Sequence, residues 1–339
     1  MKKVLSLLLA MGLALGVFTA CGTEDPSSGP SEPQSGSQQA AARTTFRIAG
    51  LKGPTTLGML QMMGAQADGT ARHDYQVSVY GAADEIVPLL VKGELDAAMI
   101  PCNLAATLYQ STEGKVQVAA VNTLGVLYVV ETGDNIHSVE DLRGKTIYTT
   151  GKGTTPEYTL RYILRENGID PETDVDIQYK SEATEVLAAM QASSGYPIAM
   201  LPQPYVTTAQ AKMSQLRIAL DMTQEWDKVS QDSALVTGVL VVRTEFAQQN
   251  KAAFNELLED YQRSISYVND DTAGVAALSE QFDLFPAAVA QKAIPSCNIT
   301  YMDGEEMKTK VAGYLKVLYE QNPKSVGGTL PDDAFYYEK

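Results

Sequence analysis

The chain of 339 residues has only two histidines, His73 and His137, and three cysteines, Cys21, Cys102 and Cys297. So small a stock leaves little for a zinc site or for a nucleophile activated by histidine. No CxxC and no Cys/His cluster occurs. Positive charge is scarce as well, with 26 Lys+Arg against 41 Asp+Glu and a formal net charge of −15. Without basic clusters the surface cannot neutralise a phosphate backbone, which argues against nucleic acid as a partner. The same charge disfavours adsorption on anionic lipid. Beyond Phe18 no apolar run approaches the roughly 20 residues of a membrane span. A Gly-x-Gly at Gly151–Gly153 is followed by neither a Walker lysine–serine pair nor a full dinucleotide fingerprint, so no cofactor is implied. The carboxylate pairs Asp84/Glu85 and Glu305/Glu306 read as helix starts and surface charge, not as an acid and base over a substrate.

What is present begins at the N-terminus. Lys2 and Lys3 precede an apolar run from Val4 to Phe18, and Phe18-Thr19-Ala20-Cys21 follows. A basic start, a short apolar stretch and small residues describe a secretory signal over residues 1–20. The cysteine after it resembles the bacterial lipobox, with Phe18 where leucine is usual; a plain signal peptide with an incidental cysteine is the alternative. On the lipobox reading, Cys21 receives a lipid and anchors the chain outside the cytoplasm. Cleavage removes two lysines, leaving 24 basic against 41 acidic residues. From Gly22 to Arg43 no large apolar residue occurs, so residues 21–43 are expected to be a lipidated cysteine and disordered tether. Such a tether spans about 25 Å root-mean-square.

From Thr44 onward strand-like and helix-like segments alternate, which favours parallel sheets covered by helices. Thr45–Leu51, Tyr75–Tyr80, Leu95–Ile100 and Val116–Val121 read as strands of a first set. Lys145–Thr149, Val175–Tyr179 and Pro197–Leu201 read as a second. Thr237–Val242 reads as a further strand, and nearly everything after it as helix. The pattern predicts two α/β lobes with crossings near Leu124–Val130 and Thr237–Val242. Residues 44–124 and 237–339 then form lobe one and residues 125–236 form lobe two.

Five segments, in order, are similar to the substrate-binding proteins of ABC importers that handle nitrate, taurine, alkanesulfonates and thiamine-pyrimidine precursors. They are AGLKGPTT (Ala49–Thr56), GELDAAMIP (Gly93–Pro101), VEDLRGKTI (Val139–Ile147), GKGTTPEYTLRYILRENGIDP (Gly151–Pro171) and YPIAMLPQPYVTTA (Tyr196–Ala209). The resemblance implies a two-lobed type II periplasmic-binding-protein fold, each lobe a mainly parallel sheet flanked by helices with a ligand cleft between. It implies a monomeric, non-enzymatic receptor that closes on a small molecule and delivers it to an ABC permease. Some relatives of this fold are enzymes of pyrimidine-precursor or chorismate-derived metabolism; the cysteine-rich motif and catalytic histidine of the former are missing here. A binding protein that serves a sensor shares the same cleft.

In open α/β sheets small molecules bind beyond the carboxyl ends of strands, where helix N-termini present free N–H groups. By that rule the candidate ligand loops are Lys52-Gly53-Pro54-Thr55, Pro101-Cys102-Asn103, Gly151-Lys152-Gly153-Thr154-Thr155 and Pro202-Gln203, with Thr123 at the cleft floor. Gly151 and Gly153 allow close backbone approach, and Thr154 and Thr155 are expected to offer hydroxyl donors. Lys52 and Lys152, one from each lobe, point to an anion, with solvated loop lysines as the alternative. Tyr80, Tyr158 and Tyr205 are candidates for stacking on a planar ligand, Tyr158 equally one for helix packing. Cys102 and Cys297 are open to either a disulfide or two separate buried thiols.

Overall fold

The computed structural model describes residues 43–230 and 233–339. The signal segment, Cys21 and the tether up to residue 42 lie outside the described residues. Arg43 is held: its guanidinium donates to the His73 carbonyl at 2.9 Å.

Among the described residues eleven strands run in chain order as β1 Thr45–Leu51, β2 Asp74–Tyr80, β3 Ala97–Pro101, β4 Val116–Thr123, β5 Leu127–Glu131, β6 Thr146–Thr149, β7 Asp176–Tyr179, β8 Ile198–Pro202, β9 Arg217–Asp221, β10 Gly238–Arg243 and β11 Ile299–Met302. The helices are α1 Pro54–Leu57, α2 Leu60–Ala67, α3 Ala83–Lys92, α4 Cys102–Ser111, α5 Thr155–Glu166, α6 Ala183–Ala192, α7 Tyr205–Lys212 and α8 Met222–Val229. The C-terminal part adds α9 Thr244–Gln249, α10 Lys251–Asp270, α11 Thr272–Gln281, α12 Ala287–Ala293 and α13 Gly304–Gln321.

The first sheet is ordered β11-β4-β10-β3-β1-β2 and the second β7-β6-β8-β5-β9. Strands β1, β2 and β3 are parallel, as are β6, β7 and β8. The ladders made by β10, β11, β5 and β9 are antiparallel, so both sheets are mixed. Strands β5 and β10 are the ones that enter a sheet from the other lobe, and they run against β8 and against β3 and β4. Central strands are buried on both faces, which explains their unbroken apolar runs. Ala97 and Met99 of β3 face one cluster with α2, α10, α11 and α12, while Ala98 and Ile100 face another with α3, α4 and α13.

Two strands depart from the sequence reading. Ile299–Met302 interrupts the nearly all-helical tail that the pattern predicts, and the pattern assigns no strand to Arg217–Asp221. Both are short edge strands, too brief for a clear period of two. The first crossing is tighter than expected, because Leu127–Glu131 is a fully buried strand of the second sheet and only residues 124–126 bridge.

The two thiols are separate. Cys102 packs with α4 and α13, Cys297 with α10 and α12, on opposite faces of the first sheet. Burial pushes both thiols up, so neither is a ready thiolate.

Asp96 of the GELDAA segment is an internal anchor. Its carboxylate accepts from the Arg47 backbone N–H at 2.9 Å, from the Arg47 guanidinium at 3.0 and 2.6 Å, and from Arg243 at 3.1 Å. Burial alone would raise this carboxyl, but the arginines reverse that and hold it below the usual range. A carboxyl depressed on folding stabilises above its unfolded value near 3.9 and loses that contribution as pH falls through its folded value. Asp96→Asn is therefore expected to cost about 3 kcal/mol at pH 7. The difference between the two proteins should shrink toward pH 2, as read from urea midpoints.

Candidate functional site

Between the sheets lies a cavity of about 720 Å³. Its wall is built from the carboxyl ends of β1, β2, β3, β6, β7 and β8 and the loops that lead into α1, α3, α4, α5, α6 and α7. Lys52, Gly53, Pro54, Thr55, Pro101, Thr123, Gly151, Lys152, Gly153, Thr154, Thr155 and Pro202 all line it. The floor is where the crossings meet: Thr237 donates its N–H to the Thr123 carbonyl at 3.0 Å, and Gly238 pairs with Thr123. A Cβ on Gly238 would lie 2.6 Å from Asn122 Oδ1 and 3.0 Å from Thr55 Cγ2, so glycine leaves the room these two side chains occupy at the floor.

Three predicted residues do not line the cavity. Cys102 is the first residue of α4 and turns into the core. Gln203 is buried, its side-chain oxygen accepting from the Thr207 N–H at 3.2 Å and hydroxyl at 2.9 Å. Asn103 works between the lobes. Its amide nitrogen donates to the Gly153 carbonyl at 3.2 Å and the Ser325 carbonyl at 3.1 Å, while its oxygen accepts from the Thr155 hydroxyl at 3.2 Å.

The glycine loop is closed on itself. Gly151 (φ 74°) and Gly153 (φ 77°) take the left-handed conformation. The Gly151 carbonyl accepts from the Thr154 N–H at 3.0 Å and hydroxyl at 2.8 Å. The Gly153 N–H donates to the buried Glu157 carboxylate at 2.5 Å, and Arg161 donates to the same carboxylate at 2.8 Å. Thr154 and Thr155 thus already donate their hydroxyl protons within the protein, contrary to the sequence expectation.

The lysines sit at the rim. Lys52 is exposed and its ammonium donates to the Asp283 carbonyl at 3.2 Å. Lys152 lies 5.9 Å over the Tyr179 ring. Of the tyrosines considered for stacking, Tyr205 lines the cavity and Tyr80 and Tyr158 do not. The Tyr205 hydroxyl crosses to the Lys52 carbonyl at 3.2 Å, and its ring meets Phe285 edge-on at 5.4 Å. Burial pushes the Tyr205 hydroxyl up to about 12, so it acts as a donor. At the outer mouth the Glu182 carboxylate of lobe two reaches lobe one, where a Cβ on Gly81 would lie 2.4 Å from Glu182 Oε1.

Reasoning from sequence missed Ala82-Ala83-Asp84, Tyr179-Lys180-Ser181-Glu182, Thr237 and the apolar wall residues Leu104, Val126 and Leu127. The first two segments follow β2 and β7, both legible as strands, so the strand-end rule applied to every strand finds them.

Two α/β lobes joined by two crossings, with a cavity at the carboxyl ends of their strands, define a bilobal solute-binding protein. The chain belongs to the family of periplasmic substrate-binding proteins of ABC transporters described for phosphonate, whose profile matches residues 59–288. Among curated proteins nothing matches by sequence. Among solved structures, an ABC transporter protein of Parabacteroides distasonis is similar at 26% identity and TM-score 0.71, over 87% of this chain and 99% of that one. The periplasmic aliphatic sulphonate-binding protein of Escherichia coli aligns at 18% identity and TM-score 0.68, over 85% and 96%. The alkanesulfonate-binding protein of Xanthomonas axonopodis pv. citri, bound to MOPS, aligns at 15% and 0.67, over 86% and 96%.

Asn103→Ala removes one amide's bonds to the glycine loop, the C-terminal segment and Thr155 together. It should cost about 1–3 kcal/mol in urea unfolding, and small-angle scattering of the variant should show a larger radius of gyration as the lobes part.

Proposed function

We propose that this chain is a lipid-anchored, extracytoplasmic receptor that captures a small organic anion between its lobes and delivers it to an ABC permease. The observation that carries the reading is the cavity, whose wall both lobes build with charged side chains that have no ion-pair partner among the described residues. Lys52 comes from lobe one, Lys152 and Lys180 from lobe two. None of the three is within salt-bridge distance of a carboxylate among the described residues. Helix N-termini from both sides add partial positive charge. Family membership supports the receptor reading over an enzymatic one, since the matched relatives are transport binding proteins.

Closure follows from the same wall. A ligand that touches both lobes gains its full set of contacts only when the lobes meet, so it shifts the population toward the closed form. The bridging residues 124–126 and 233–237 absorb the rotation. Tyr205 and Glu182 then close the mouth from lobe two onto Lys52 and Gly81 of lobe one. The loaded, closed form offers the permease a surface made of both lobes.

A thermal-shift screen of the chain against sulfonates, phosphonates, carboxylates, nitrate and small heterocycles tests this reading. A ligand at a hundred times its dissociation constant should stabilise the native state by about 2.7 kcal/mol. Lys52→Ala and Lys152→Ala should each weaken the shift for an anion about tenfold in ligand concentration. A flat response across the panel overturns the receptor reading. The anchor is tested separately: Cys21→Ser should abolish incorporation of labelled fatty acid and move the protein from the detergent phase to the aqueous phase.

A further inference from the structure

We infer that residues 296–298 form a clasp on the first crossing: Asn298 fixes where the joint between the lobes can bend, and the Ser296 carbonyl holds lobe two, through Tyr128, at the angle at which the mouth is shut. This inference rests on the closure described above and adds positioning residues to it. Neither Ser296, Asn298 nor Tyr128 lines the cavity.

The crossing itself is Leu124-Gly125-Val126, between the end of β4 and the start of β5. A joint that turns freely leaves its backbone groups to water, but these are engaged. The Leu124 N–H donates to the Asn298 carbonyl at 3.1 Å, and the Asn298 side-chain amide donates to the Gly125 carbonyl. The Val126 carbonyl accepts from the Gln203 N–H at 3.1 Å. The peptide plane that carries the Gly125 carbonyl is thus tied to lobe one, and the plane that carries the Val126 carbonyl to lobe two. Peptide planes are stiff, so only the φ and ψ of Val126 lie between the two tied groups. The second crossing is tied to lobe one from Thr237 onward, whose N–H reaches the Thr123 carbonyl at 3.0 Å, so it turns only before that residue.

Asn298 can grip the crossing because of its own backbone. At φ 45° it takes the left-handed conformation, which asparagine tolerates better than most residues, and its carbonyl and amide both reach the crossing. The next residue is fastened to lobe one: Ile299 pairs with Thr123, and its carbonyl accepts from the Asn269 amide of α10 at 3.0 Å.

Beyond the joint, β5 carries Tyr128. Its ring is buried and its hydroxyl donates to the Ser296 carbonyl at 3.0 Å. Burial pushes that hydroxyl up to about 12, so it stays a donor at neutral pH. The bond stands in the conformation in which the Tyr205 hydroxyl meets the Lys52 carbonyl across the mouth at 3.2 Å. A turn at Val126 carries Tyr128 away from Ser296 with the rest of lobe two, so the bond belongs to the closed form. One neutral hydrogen bond shifts such an equilibrium about fivefold.

The test is double electron–electron resonance on the ligand-free full chain. Nitroxides are attached to non-natural keto residues in place of Val91 of α3 and Gln191 of α6, which are both exposed. Tyr128→Phe should lower the ratio of short to long distances about fivefold. Asn298→Gly keeps the left-handed backbone, loses the amide bond to Gly125 and should broaden the distribution. Tyr148→Phe removes a 3.0 Å bond to the Ser193 hydroxyl within lobe two and should change neither. If Tyr128→Phe lowers the urea midpoint but leaves the distances unchanged, the bond is structural and the inference is overturned. A wild type found only at the long distance, or an unchanged width for Asn298→Gly, overturns it as well. No ligand enters the measurement, so its failure is distinct from that of the receptor reading, which the thermal-shift screen decides.

Discussion

The pairing of β10 with β4, at the centre of the first sheet, governs the rest of the molecule. The two places where the chain passes between lobes are the end of β4 and the start of β10, and these are neighbours in one antiparallel ladder. Thr237 and Thr123 are tied by a backbone bond, and Cys102 donates its N–H to the Thr237 carbonyl at 3.2 Å. Hinge, cavity floor and the start of α4 therefore share one set of hydrogen bonds. The residues that link the lobes are thus the same residues that form the cleft floor.

The lobes are also joined away from the crossings, and the two edges of the cleft differ in kind. On one edge Trp226 of α8 packs 5.4 Å from Tyr314 of α13 and 4.7 Å from Tyr162 of α5, and Trp226 and Tyr314 are fully buried. Separating such rings exposes large apolar areas. On the other edge α7 meets α12, with Tyr205 edge-on against Phe285 and Tyr128 donating to the Ser296 carbonyl at 3.0 Å.

The fold was largely legible because buried central strands carry strong local signals: AAMI and GVLVV are apolar without a break, VQVAAV is interrupted only by Gln117, and each candidate loop lies at a strand end. What escaped has physical reasons. Arg217–Asp221 and Ile299–Met302 gain their strand character from a neighbour's ladder, which no local pattern records. Asn103, Cys102 and Gln203 sit in the right loops, yet side-chain direction within a loop is set by packing: Asn103 turns to Gly153 and Ser325, and Cys102 to the core. The engagement of Thr154 and Thr155 depends on partners that lie nearby only after folding, Gly151 across a tight turn and Asn103 across the cleft. Lys180 and Glu182 follow a strand that could be read, so they were within reach of the same rule.

The first sheet draws its strands from both ends of the chain, while the second is made from one continuous stretch, β5 to β9. For a polypeptide delivered N-terminus first, this sets an order of assembly. Strands β1 to β4 arrive early but lack β10, which must lie between β3 and β4, until residues 124–237, about a third of the chain, have followed. Lobe two can complete its ladders in the meantime. The N-terminal strands must wait with their edges open, and such edges invite pairing with other chains. The burden on any chaperone that meets this protein thus falls on its first third.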